Sequence, residues 1–154
     1  MANGRKMKKE ETLVIIKPDT LCQRVVGKVI SIIEENGLKI KGLKMIKLNK
    51  KDAKNFYIEH KGKDFYTPLV NFMSSNPCIV MVVSGNNAIK KLRKIAGKTD
   101  PKEAKPMTIR RMFARDGRHN IVHASDSKKS AKREIKFFFK RNEIFDWKYI
   151  NYKL

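Results

Sequence analysis

Of three histidines, His60, His119 and His123, only the last stands in a pattern that suggests chemistry. It closes a short apolar run, Asn120-Ile121-Val122-His123, and Ser125-Asp126 follows two residues later as an expected helix cap. A histidine at a strand end beside a helix N-terminus lies where free backbone N–H groups stabilise an anion. Glu134, eight residues beyond Asp126 on the same expected helix, could orient the imidazole. Cations suited to phosphate are dispersed along the chain: Lys17 at the end of the first expected strand, Arg93 on a helix, and Arg110 in the loop before His123. Taken singly, each of these is an ordinary solvated cation, and Arg110, as an exposed one, is expected to add little to folding. Together with Thr99, Asn120 and His123 they ask for another explanation. A neutral imidazole is a competent nucleophile near neutral pH without a base to strip a proton first, so His123 is a nucleophile candidate beside cations suited to phosphate.

Other chemistries are excluded by spacing. No HExxH or paired-cysteine pattern surrounds the histidines, which argues against zinc. Gly97-Lys98-Thr99 resembles the tail of a P-loop, but that motif needs glycine where Leu92 stands, and the segment ends an expected helix instead of opening one. No GxGxxG occurs, so neither a dinucleotide fold nor a protein kinase is supported. Two distant cysteines, Cys22 and Cys78, are too few for a disulfide scaffold and fit a reduced, cytoplasmic compartment. The N-terminus turns acidic where a signal peptide would need an apolar stretch, and no apolar run approaches the ~20 residues that cross a bilayer.

The chain carries 36 Lys plus Arg against 15 Asp plus Glu, a net charge of +21 over 154 residues. That excess fits nucleic acid or another polyanion, and equally a solvated surface that keeps the protein soluble. The basic residues are spread through nearly every segment, so charge alone decides little. A hydrophobic fraction of 41% excludes a disordered polycation and leaves ample material for one core.

The elements that must position these residues follow from periodicity. Residues 1–10 read as a basic tail, and residues 11–154 as one domain. TLVIIK (12–17) is a buried strand stopped by Pro18, and Val26, Val29, Ile30 and Ile33 mark a helix closed by Gly37. Residues 38–48 alternate, with a phase slip at Gly42 that suggests a bulge. Asn49 opens a helix running to His60, and Thr67-Pro68 opens another, with proline at its first position. CIVMVV (78–83) is a central strand, and Asn87 opens a helix closed by Gly97. Residues 98–118 are expected to be mostly loop, 120–123 a short strand, and Ser125-Asp126 the cap of a last helix. A small sheet covered by helices results.

On these residues the chain resembles the nucleoside diphosphate kinase family, from about Glu11 to Trp147. The strongest signature is Asn120-Ile121-Val122-His123-Ala124-Ser125-Asp126-Ser127, similar to the family's N-x-x-H-[GA]-S-D motif. Thr12-Leu13-Val14-Ile15-Ile16-Lys17-Pro18-Asp19, Tyr57 with Phe65, Leu69-Val70, Gly97-Lys98-Thr99-Asp100-Pro101 and Pro106-x-Thr108-Ile109-Arg110 support it in the family's order. The resemblance implies a ferredoxin-like α+β sandwich with an antiparallel βαββαβ sheet, and a homo-oligomer, hexamer or tetramer. It also implies ping-pong transfer of a γ-phosphate from a nucleoside triphosphate such as ATP to a nucleoside diphosphate. A phosphohistidine on His123 would be the intermediate, and Mg²⁺ would be carried by the nucleotide's phosphates with no metal ligand from protein side chains.

By the same resemblance, Glu134 holds the second ring nitrogen of His123, Ser125 orients Glu134, and Tyr57 lines the catalytic histidine. Arg93, Arg110 and Thr99 match positions that grip the β- and γ-phosphates, and Lys17 and Asn120 match those that reach the sugar hydroxyls. Phe65 matches the aromatic on which the base stacks, with Leu69 beside it, and stacking tolerates any base. Four departures stand out. Thr20 replaces the family's usual glycine or alanine, Met107 a usual glycine, Arg111-Met112 a small-acidic pair, and Gly117 an apolar residue that often covers the base's other face. They leave the catalytic set intact and bear on the 100–118 loop. The rival class is a basic nucleic-acid-binding module on the same fold.

Overall fold

The computed structural model describes residues 9–151. Four strands form one antiparallel sheet in the order β2-β3-β1-β4: β1 (Lys9–Ile16), β2 (Lys39–Ile46), β3 (Cys78–Asn86) and β4 (Val122–Ala124). Helices α1 (Pro18–Cys22) and α2 (Val26–Glu35) join β1 to β2, α3 (Lys50–Phe56) and α4 (Tyr66–Ser75) join β2 to β3, and α5 (Ala88–Ala96) and α6 (Ile109–Phe113) join β3 to β4. Helix α7 (Lys128–Phe138) follows β4. This is the ferredoxin-like α+β arrangement, with the helix pair α3 and α4 inserted in the β2–β3 connection.

Strand β1 is apolar on both faces because both are covered. Leu13 and Ile15 pack with residues of α3, α4 and α7, while Val14 and Ile16 pack with α2, α5 and Ile109 of α6. Side chains alternate along a strand, so register decides which layer a β4 residue enters. His123 pairs with Ile15, and Val122 with Ile16. His123 is therefore directed to the α3/α7 layer, while its neighbours Val122 and Ala124 fill the opposite core. Three residues of β4 suffice to aim the side chain.

The expected β2 irregularity is present: Ile40 pairs with Val83 and Gly42 with Val82, leaving Lys41 as the extra residue. Gly42 is also where the segment after α7 crosses. A Cβ there would lie 3.0 Å from the Phe139 ring and 3.1 Å from the Glu143 carbonyl.

Several boundaries differ from expectation. Strand β1 begins at Lys9, so Lys9 and Glu10 belong to the sheet and not to a 1–10 tail; their partners are Asn86 and Gly85, because β3 runs three residues past its apolar stretch. Residues 1–8 lie outside the described residues. Pro18 does more than stop a strand: it opens α1. The first helix after β2 ends at Phe56 and passes into a 3-10 turn (Ile58–His60). Pro68 is the third residue of α4, still within the first turn, where N–H groups have no intrahelical acceptor to lose. The expected 98–118 loop contains α6, capped by the Thr108 hydroxyl, which accepts from the Arg111 N–H at 3.4 Å. Met107, just before it, adopts φ +66°, the left-handed conformation that glycine takes without penalty. Helix α7 is capped by Ser127, accepting from the Ser130 N–H at 3.0 Å, and not by Ser125-Asp126. Ser125 is thereby left for another task.

Candidate functional site

The chain enters β4 through a tight turn. Ile121 has φ +74°, and the Val122 N–H donates back to the Asn120 carbonyl at 2.8 Å, which closes a γ-turn on a β-branched residue. Such a backbone is an outlier that surrounding bonds must hold. The Ile121 carbonyl accepts from the Lys17 N–H (2.8 Å) and the Thr20 hydroxyl (2.7 Å), and the Ile121 N–H donates to Asp19 Oδ2 (3.0 Å). The end of β1 and the start of α1 thus grip the residue between Asn120 and His123.

Downstream of the turn, His123 Nε2 lies 2.9 Å from Glu134 Oε2 on α7, and Ser125 Oγ donates to the same oxygen at 2.6 Å. Ser125 Oγ in turn accepts from the Leu13 N–H at 3.3 Å, which ties the carboxylate to the central strand. Glu134 and Ser125 are buried. With Nε2 engaged, Nδ1 is the ring nitrogen that makes no hydrogen bond among the described residues. Phe56 packs edge-on against the imidazole at 5.5 Å and Tyr57 at 6.5 Å. The Tyr57 hydroxyl is buried and without a hydrogen-bond partner among the described residues, and burial first, then the neighbouring Cys78 and Glu134, raise its pKa above the ordinary tyrosine value.

Upstream, the cations hang on carbonyls. Arg110 Nε, Nη1 and Nη2 donate to the carbonyls of Asn120 (3.3 Å), Gly97 (2.8 Å) and Val122 (2.7 Å). Gly97 can present that carbonyl because it has φ +88° and no side chain: a Cβ would stand 2.5 Å from the Thr108 hydroxyl. Burial, and then the nearby Arg93, lower the Arg110 pKa to about 10. Lys17 is only 6% exposed, and its Nζ donates to Asn120 Oδ1 and, at 3.5 Å, to the Arg118 carbonyl. Burial, then Arg110, lower its pKa to about 7 against the opposing pull of Asp19 and Asp116. The Asn120 amide is turned by donating to the carbonyls of Gly117 (3.0 Å) and Thr99 (3.4 Å).

These groups share one cleft of about 770 Å³. Its lining contains His123, Glu134, Tyr57, Lys17, Phe65, Leu69, Arg93, Thr99, Arg110 and Asn120; Ser125, the remaining expected site residue, sits behind Glu134. Phe65 is 45% exposed at the N-terminus of α4, with the His60 ring 5.2 Å away and Lys63 Nζ over the Phe65 ring at 5.6 Å. A wider and more open depression of about 1,200 Å³ between α2, α5 and the 106–113 segment contains none of the expected residues and no histidine.

Sequence reading gave no role to Phe56, His60, Arg118 or Arg133, which also line the cleft. Arg133 Nη2 lies 3.5 Å from Glu59 Oε1 and 3.9 Å from Glu134 Oε1. Its position next to Glu134 was the available signal. Asp19, which follows Lys17-Pro18, shows no task in the sequence because its partner is a backbone N–H 102 residues away.

The family model described as "Nucleoside diphosphate kinase" matches residues 10–144. A nucleoside diphosphate kinase of Methanocaldococcus jannaschii is 55% identical over 138 residues, covering 90% of this chain and 99% of the relative. One from Pyrococcus abyssi is 52% identical over 142 residues, 90% of this chain and 89% of the relative. Among solved structures, a crystal form of the Aquifex aeolicus nucleoside diphosphate kinase superposes with a TM-score of 0.88 at 41% identity, over 90% of this chain and all of that one. A nucleoside diphosphate kinase from Halobacterium salinarum in complex with CDP gives 0.89 at 35% identity, over 92% and 95%.

The Arg110 contacts overturn the expectation that this side chain is a free surface cation. Arg110→Ala is expected to lower unfolding free energy by about 2 kcal/mol, since charged hydrogen bonds to three carbonyls are lost. Urea unfolding followed by circular dichroism measures this, and an unchanged midpoint would contradict the reading of those bonds as structural.

Proposed function

The chain belongs to the nucleoside diphosphate kinase family, and on that premise we propose that His123 carries the phosphoryl group in its reaction. The enzyme transfers the γ-phosphate of a nucleoside triphosphate to a nucleoside diphosphate. The observation that carries the residue assignment is the 2.9 Å contact between His123 Nε2 and Glu134, which leaves Nδ1 as the unengaged ring nitrogen in a cleft lined by cations.

The steps follow from that geometry. Glu134 accepts a hydrogen bond from Nε2–H, which keeps the proton there and fixes the tautomer with a lone pair on Nδ1. That lone pair attacks the γ-phosphorus; the bond to the β–γ bridging oxygen breaks, and the diphosphate leaves with its electron pair. The imidazolium formed is stabilised by Glu134, itself steadied by Ser125. After exchange of diphosphates, a terminal oxygen of the incoming one attacks the same phosphorus, and the ring recovers its lone pair. The transition state is loose and anionic, so rate comes from positioned positive charge. Arg93, Arg110 and Thr99 grip the phosphates, and Lys17 and Asn120 reach the sugar hydroxyls, Lys17 also serving the transferring group. Tyr57 lines the histidine. The donors that face the phosphates are cationic or neutral, so a divalent ion, Mg²⁺, enters as part of the substrate on the phosphate oxygens. Phe65 stacks the base with Leu69 beneath it, and Gly117 offers no second apolar face, which suits purines and pyrimidines, ribose and deoxyribose alike.

The catalytic unit is one domain beginning with β1, and it assembles into a homo-oligomer, a hexamer or tetramer. The support is apolar surface along the β2 edge: Leu43 and Met45 of the strand, and Phe145, Trp147, Tyr149 and Ile150 after α7, are exposed. A cytoplasmic setting suits the free thiols of Cys22 and Cys78. No helix among the described residues is long and apolar enough to cross a membrane. The comparisons lend no support to the nucleic-acid-binding alternative.

Three outcomes check this reading. Incubation with labelled ATP leaves acid-labile, alkali-stable phosphate on the protein, and His123→Ala abolishes both that label and exchange between ATP and other diphosphates; a label that survives the substitution overturns the assignment. Sedimentation equilibrium at low and high salt returns a hexamer or tetramer mass, and a monomer at both removes the assembly proposal. The third outcome concerns Lys17. With its pKa lowered to about 7, Lys17 is mostly neutral in the empty site above that pH, and bound phosphate restores its charge. Nucleotide binding near pH 8.5 should therefore take up a proton, seen by calorimetry in buffers of different ionisation enthalpy, and affinity should weaken as pH rises. In the empty protein this group works in the opposite direction, adding stability as pH climbs from about 7 toward the ordinary lysine value. Proton uptake unchanged in Lys17→Met would assign it elsewhere.

A further inference from the structure

The γ-turn at Ile121 is the point from which the phosphate-handling groups are hung. The carbonyl of Asn120 and that of Val122 hold Arg110, and the side chain of Asn120 holds Lys17. If Ile121 relaxed from φ +74° to an ordinary negative value, the peptide planes on either side would rotate and those carbonyls would turn away. What opposes relaxation comes from residues 17–20. Two of the three bonds, from the Lys17 N–H and to Asp19 Oδ2, use groups that belong to the quoted motif. The third, from the Thr20 hydroxyl at 2.7 Å, uses a side chain where the family commonly carries glycine or alanine, neither of which can make it. Thr20 is fully buried, and its backbone N–H is already committed to the Lys17 carbonyl at 3.0 Å, so the side chain is fixed against the turn by the first turn of α1.

We propose that Thr20 is a positioning residue in this chain: its hydroxyl holds the strained Ile121 peptide and, through it, Arg110, Lys17 and Asn120. This rests on the reading that His123 is the phosphoryl carrier. Thr20 does not line the cleft and its hydroxyl bonds the Ile121 carbonyl, so its effect falls on how well the cations meet charge developing in the transition state, and appears in kcat more than in KM.

The test uses Thr20→Val, which keeps the shape and removes the hydroxyl, Thr20→Ser, which keeps the hydroxyl, and Thr20→Ala, the family-typical residue, which secures a folded comparison. Phosphate exchange between ATP and a second diphosphate should lose about fivefold in kcat in the Val and Ala variants, with KM within about twofold, and Ser should restore it. Amide hydrogen exchange should quicken at Lys17 and Val122, whose N–H groups close the turn, and stay unchanged in β3. Wild-type kcat in both Val and Ala variants, or a Ser variant as impaired as Val, would overturn the proposal. If His123→Ala loses its phosphate label while Thr20→Val turns over normally, only the positioning role fails; if His123→Ala keeps the label, the reading beneath it fails as well.

Discussion

The site must concentrate positive charge in a partly buried place without neutralising it. Carboxylates close to Arg110 and Lys17 would satisfy the cations and cancel the field a polyphosphate needs. The fold instead supplies neutral acceptors: three main-chain carbonyls for Arg110, and an amide oxygen and a carbonyl for Lys17. Dipoles hold direction and leave net charge, and the unrelieved cost is visible in both pKa values, lowered to about 7 for Lys17 and about 10 for Arg110. Preorganised donors of this kind need no rearrangement when anionic charge develops, which makes them effective in transfer. Carboxylates do border the cleft, but none hydrogen-bonds either cation among the described residues: Asp19 and Asp116 act on Lys17 only through space, and Glu134 is occupied by the imidazole and Ser125.

Carbonyls can serve only if the backbone is turned to offer them: one acceptor, Gly97, is itself left-handed, and two others, Asn120 and Val122, flank the strained Ile121. Gly97 reaches φ +88° without steric penalty, whereas Ile121 at φ +74° bears a cost on the order of 1–3 kcal/mol. Sheet packing makes this tolerable. Ile121 is fully buried with the α2/α5 layer, and its backbone N–H and carbonyl are satisfied from residues 17–20. Strain near His123 is thus held by contacts between the first strand's end and the last strand's start, more than a hundred residues apart in sequence.

That separation explains what sequence reading could and could not recover. Buried strands announced themselves through apolar runs, so 12–17 and 78–83 were legible as strands of a covered sheet, and the bulge near Gly42 appeared as a slipped alternation. Helix starts were legible where a side chain makes its own cap, as Asn49 does by accepting from the Asp52 N–H at 2.8 Å. They were misjudged where two candidates stood in a row: Ser127 took the cap and freed Ser125 for Glu134. Helix α6 was missed because Pro106 and Gly117 bracket only five helical residues, and its stability comes from packing Ile109 and bonding Arg110, not from propensity. The set of residues that gathers at the cleft was readable through its resemblance to known sequences. The roles of Asp19 and Thr20 were not, since a side chain bonded to a distant peptide leaves no periodic trace.

Using one arginine and one lysine at the heart of the cleft is a division of labour that follows from their chemistry. Guanidinium stays charged even with its pKa lowered to about 10, and its planar fork meets three carbonyls at once, so Arg110 is both a structural tie and a permanent charge. Ammonium is compact and titrates readily when buried, and with a pKa of about 7 Lys17 lies close to the second ionisation of a phosphate. On the proposed role, such a group follows the charge of its ligand, gaining its proton as polyphosphate arrives and releasing it as the ligand leaves. Interchanging the two would forfeit both functions: lysine at 110 could not span the three acceptors, and arginine at 17 would keep its full charge in a buried site with only two of its donors matched.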